Sequence, residues 1–148
     1  MKRFEKSILG VTLLEIMLVL AIAAMIIVMS VRYYQSATSS QQANSVLEQI
    51  QGIVAAADGL AQATGTYSGN VTSAAIAPLL PAGGMTAPWG QAITFGTVSK
   101  SSYVMNVPGV PNGVCTLLES KLHANNHFSY SGSCGSGSTL AVTYIANP

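Results

Sequence analysis

Charge is what this sequence has least of. Lys, Arg, Asp and Glu together make up 7% of its 148 residues, against roughly a quarter in ordinary soluble domains. A surface so poor in charge leaves a lone monomer poorly soluble, so a membrane or a packed polymer is the better setting. The formal net charge is +1, too small for a chain that grips nucleic acid by its phosphates. Proline is missing before Pro78 and glycine is missing from residues 11–31, so neither common helix breaker interrupts that run. Cysteine occurs only as Cys115 and Cys134, with no Cys-x-x-Cys motif to argue for a redox role. Catalytic patterns are missing too. No Ser/His/Asp spacing points to a nucleophile, and residues 132–139 lack the lysine that a phosphate loop needs before Ser138. His123 and His127, four apart, can share a helical face as metal ligands, but no nearby carboxylate or thiol completes the set if Cys134 is oxidised. No cofactor and no metal are expected, and an enzyme is the least favoured class.

Hydrophobic residues, by contrast, make up 49% of the chain, and residues 11–31 read VTLLEIMLVLAIAAMIIVMSV. As a helix this run spans about 31 Å, close to the thickness of a bilayer core. Glu15 is its only ionisable residue. Lys2, Arg3 and Lys6 precede the run, with Glu5 among them, and Arg32 alone follows it. The excess of basic residues before the run predicts a cytoplasmic N-terminus, with everything after Arg32 outside. Both cysteines then lie in a disulfide-permissive space, where an even count reads as a bond. In the cytosol the same pair would more often be two free thiols. Two simpler explanations of the run compete. A secretory signal peptide cut after Ala21-Ile22-Ala23 fails to explain why the apolar run continues through Val31. A plain single-span anchor explains the length but not the glutamate, since an intramembrane acid is costly and is a functional hypothesis by default.

The stretch Lys6-Ser7-Ile8-Leu9-Gly10-Val11-Thr12-Leu13-Leu14-Glu15 resembles the class III signal of type IV pilins and pseudopilins, in which a basic leader ends in glycine. The resemblance implies that a membrane-embedded prepilin peptidase cuts between Gly10 and Val11. It implies that Val11 becomes the N-methylated first residue, and that Glu15 is the fifth mature residue, which docks subunits in the filament. Glycine before the cut lets the backbone approach a protease closely. Without the first ten residues the chain carries three Lys or Arg against four Asp or Glu, a near-neutral balance suited to packing with copies of itself. The start at Val11 and the lack of an early proline resemble the type IVb and conjugative thin-pilus subunits more than the type IVa group, although ten residues make a short leader for type IVb. The partners implied are further copies of the chain, an inner-membrane assembly platform, an extension ATPase and an outer-membrane secretin. A disulfide joining Cys115 to Cys134 is also a feature of the family.

Beyond the membrane run, Tyr33 and Tyr34 suit a membrane–water boundary. Val46, Ile50, Ile53, Val54, Ala57 and Leu60 step by threes and fours along one helical face. One helix is therefore expected over 11–63, half apolar (11–31) and half amphipathic (32–63), ending near Gly65–Gly69. A loop follows over 64–91, rich in Gly and Pro, with a short helix near 73–80. Its Ala87-Pro88-Trp89-Gly90 resembles the turn that precedes the sheet in type IVb subunits, with Trp89 as a core anchor. Residues 91–98 and 102–107 read as an antiparallel pair, and 128–131 and 140–146 as closing strands. Asn112 reads as the cap of a helix through Leu122. The expected architecture is α+β, a pilin fold in which a long N-terminal helix packs on a small antiparallel sheet (92–148) closed by the disulfide. The expected role is a structural subunit of a filament. The alternatives are a minor pilin or type II secretion pseudopilin, and a monomeric membrane-anchored periplasmic binding module.

Overall fold

A computed structural model describes residues 5–135 and 137–148, with side chains from Thr12 onward. Helix α1 runs Glu5–Thr64. The chain divides into two units, Met1–Thr38 and Ser39–Pro148.

In the first unit α1 is apolar on all sides from Leu13 to Val31, with Glu15 and Ser30 as its polar residues. Leu13, Leu14, Ile16, Met17, Leu18, Val19 and Leu20 are all exposed, so no polar face interrupts them. The most apolar 18-residue window has a mean hydropathy of 2.7 and none of it is buried within the molecule. By length and composition this helix can cross a membrane. Two of its hydroxyls bond to the helix itself: Ser30 Oγ donates to the Ile26 carbonyl and Thr38 Oγ1 to that of Tyr34, each at 2.8 Å. Such back-bonding satisfies the Ser30 donor within the apolar run.

The second unit has its own core. Over residues 39–64, α1 buries Ala43, Val46, Ile50, Ile53 and Ala57, all fully inaccessible. The expected stripe is present, extended one turn by Ala43. The helix stops at Gly65, whose φ of +76° only glycine adopts cheaply. Its N–H donates to the Ala61 carbonyl at 2.6 Å.

The loop that follows holds α2 (Ser73–Ile76) and a 3-10 turn (Ala77–Leu79). Thr72 caps α2, its hydroxyl accepting from the Ala75 N–H at 3.2 Å. Ala87 to Gly90 form a closed turn, the Gly90 N–H donating to the Ala87 carbonyl at 2.8 Å. Trp89 stands beside it, partly buried against the core, and its indole N–H donates to the Pro108 carbonyl at 2.8 Å.

Four antiparallel strands follow: β1 (Thr94–Val98), β2 (Ser102–Val110), β3 (Phe128–Ser131) and β4 (Ser138–Ile145), in the order β1-β2-β4-β3. Alternation along β2 buries Tyr103, Met105 and Val107, and along β4 Leu140 and Val142. The register shifts between Val107 and Val110, which returns Val110 to the core. Helix α3 (Asn112–Leu122) buries Val114, Cys115, Leu118 and Leu122. Its N-cap is Pro111, extended at φ −61°, ψ 142°, and no side chain caps it. Asn112 is therefore the first helical residue rather than the cap. The whole second unit is α+β, with helix and sheet side chains in one core cluster.

Candidate functional site

Of the residues that carry the sequence argument, Lys2 and Arg3 lie outside the described residues, as do the side chains of Lys6 and Val11. Gly10 and Val11 fall within the range of α1. Glu15 is exposed on the same helix, one turn from Thr12 and flanked by Ile16, Val19 and Leu20, which line a shallow hollow with it. Among the described residues no lysine or arginine nitrogen lies within 4.0 Å of any carboxylate oxygen. Glu15 therefore has no cationic partner within them, on a surface that is otherwise hydrocarbon.

Cys115 and Cys134 are bonded, with Cα atoms 5.6 Å apart and a sequence separation of 19. Cys115 sits in the core on α3, while Cys134 packs against the core from the loop before β4. Closing a loop of this size stabilises the fold by about 3 kcal/mol in the chain-entropy account. Glu119, one turn along α3, brings a carboxylate oxygen within 4.8 Å of both sulfurs. Bonded to each other, those sulfurs are not free thiolates, the form that binds metal.

His123 and His127 are not brought together as a ligand pair. The ring of His127 stacks on Tyr144 with centroids 5.9 Å apart, and its Nδ1 is 2.9 Å from the Ile145 carbonyl. His123 is exposed beyond α3, at a groove shared with Asn126, Ser129 and Tyr130. Asn70, first residue of the Asn-Val-Thr sequon, spends its amide N–H groups on Thr64 Oγ1 at 2.9 Å and the Thr66 carbonyl at 3.0 Å. It reads as a brace for the end of α1.

Sequence reasoning missed one polar cluster. Asp58, half-buried on α1, accepts from the Tyr67 hydroxyl at 2.6 Å and from the Tyr144 hydroxyl at 3.4 Å. Tyr103, fully buried on β2, stands edge-on to Tyr67 with centroids 5.2 Å apart, and 5.3 Å from Tyr144. Its own hydroxyl is buried without a hydrogen-bond partner. Burial first, and the nearby Asp58 carboxylate next, push the phenols of Tyr67, Tyr103 and Tyr144 above their ordinary value. The alternation in β2 does place Tyr103 on the core side. Asp58 itself gave no signal beyond being an acid beside an apolar stripe.

No protein-family model, curated protein or solved structure matches the chain.

Proposed function

We propose that this chain is the precursor of a type IV pilin subunit, processed at the membrane and polymerised into a surface filament. One observation carries the reading: a helix apolar on nearly every side, with a carboxylate at Glu15 that has no cationic partner among the described residues, five residues beyond Gly10. Such a surface is stable against lipid or against other apolar helices, not against water. A glutamate placed there is favoured by a cationic partner, and cleavage after Gly10 would create one, the amine of Val11, on a neighbouring copy. In a low-dielectric core that pairing offsets part of the desolvation of both charges and favours one axial register. The α+β second unit, stapled by its disulfide, agrees with an exported subunit.

On this reading the leader is 1–10, residues 11–31 form the membrane and polymerisation segment, and the basic leader is cytoplasmic with the second unit outside. Its partners are the prepilin peptidase, assembly platform, extension ATPase and secretin. The deciding experiment is mass analysis of the N-terminus in material sheared from cells. The expected product begins at methylated Val11 and is recovered in filaments. Recovery in trace amounts among other subunits would make it a minor pilin or pseudopilin. An intact, monomeric chain retained in the membrane would make it an anchored binding module and overturn the proposal.

A further inference from the structure

Asp58 has a second neighbourhood that assembly does not require. It lines an open groove of about 440 Å³ with Gln62, Thr66, Lys100, Ser101 and Asn147, within the size range of small-molecule sites. Backbone bonds hold its walls in place. The Tyr67 N–H donates to the Lys100 carbonyl at 3.2 Å, and the Ala146 N–H to that of Ser101 at 3.0 Å. These tie the loop after α1, the β1–β2 turn and the segment after β4 to one another.

The charges in this groove are unmatched. Asp58 Oδ1 is engaged by Tyr67 at 2.6 Å, but Oδ2 has only the long 3.4 Å contact from Tyr144, too weak to use up its lone pairs. Lys100 borders the same space, yet its ammonium is not within 4.0 Å of a carboxylate. Asp58 keeps spare acceptor capacity at the edge of the groove, and an opposite charge lines the same groove without meeting it. We infer that the groove binds a small zwitterion, its ammonium on the Asp58 carboxylate and its carboxylate on Lys100. Of the clustered tyrosines only Tyr67 lines the groove. Tyr67, Tyr103 and Tyr144 pack directly on one another, at 5.2 to 6.4 Å between centroids, and leave no cage between ring faces for a methylated cation. Recognition is by N–H donation to Asp58, so a primary ammonium is favoured over a quaternary one. All of the residues lining this site belong to the second unit.

The test is amide NMR of the full chain in dodecyl maltoside micelles, which carry no charge to compete. Glycine, β-alanine and γ-aminobutyrate probe the spacing between the two charges, with acetate, methylammonium and glycine betaine as controls. At least one of the three amino acids should shift the amides of Thr66, Lys100 and Ser101 saturably, at least tenfold more tightly than any control. Asp58→Asn and Lys100→Met should each weaken that binding at least tenfold. Lys100 is exposed, so its variant keeps the test valid if Asp58→Asn disturbs packing. The proposal falls if no amino acid saturates, if methylammonium or betaine binds as well, or if Lys100→Met binds unchanged.

Discussion

Tyr67 and Tyr103 make opposite use of the same hydroxyl. Tyr67 donates its proton to Asp58 at 2.6 Å, a bond to a charged acceptor, while the Tyr103 hydroxyl is buried and unpaired. Removing the first strands a half-buried carboxylate, so Tyr67→Phe should destabilise the second unit by about 1.5–3 kcal/mol. Removing the second deletes an orphan, so Tyr103→Phe should be neutral or stabilise by up to about 1 kcal/mol. Thermal unfolding in nonionic micelles, followed by near-ultraviolet circular dichroism, distinguishes the two, and equal losses would reject this account. The same cluster sets an alkaline limit. Tyr67, Tyr103 and Tyr144 hold their protons in the fold above the ordinary phenol value, whereas an unfolded tyrosine releases its proton near pH ~10. Below that pH both states are protonated and the full stability is present. Above it the unfolded chain binds fewer protons than the folded one, so stability falls as pH rises. A melting temperature flat from pH 8 to 9.5 and dropping beyond 10, with the drop reduced in a Tyr67→Phe, Tyr144→Phe double variant, is the expected profile.

At the scale of elements, legibility followed sequence separation. The buried stripe of α1 was readable because Val46, Ile50, Ile53 and Ala57 lie within three turns of one another, and periodicity is a local property. β3 was readable for the same reason. The end of β2 was not: Pro108 and Gly109 look like a stop, but the strand absorbs them. Pro108 needs no partner for a missing N–H while its carbonyl takes the Trp89 indole. Gly109 supplies the positive φ of +67°, at the register shift. A Cβ there would stand 3.1 Å from Gln91 Cγ and 3.6 Å from the Trp89 ring. Gly109→Ala should therefore cost about 1–3 kcal/mol through crowding and backbone strain, with Trp89 fluorescence shifting as the ring is displaced. An unchanged melting temperature would show that the turn yields freely. Asn112 misled because its capping chemistry is real, but the extended Pro111 already occupies the cap. Asp58 was illegible because its partners lie 9 and 86 positions away, and no local pattern joins such residues.

For the whole molecule, the decisive contrast is between inserting a helix and assembling it. Glu15 sits on a surface where every neighbour is apolar or nearly so, and a carboxylate within a bilayer opposes insertion by roughly 2.5–3.5 kcal/mol at the centre and less toward the edge. If the helix were only an anchor, replacing Glu15 by alanine would relieve that cost and nothing else would change. If Glu15 answers the amine of a neighbouring copy, the same change removes the interaction that selects the register. The two readings thus give opposite signs to one substitution. For Glu15→Ala we expect undiminished membrane insertion and processing after Gly10, together with at least a tenfold loss of sheared filament. Glu15→Asp, which keeps the charge but shortens its reach, should restore part of the yield. Glu15→Gln, which keeps the shape without the charge, should not. Quantifying the membrane and sheared fractions side by side separates the cases. Filaments at normal yield from Glu15→Ala would leave the carboxylate without a role in docking, and recovery by Glu15→Gln would assign its role to hydrogen bonding rather than charge.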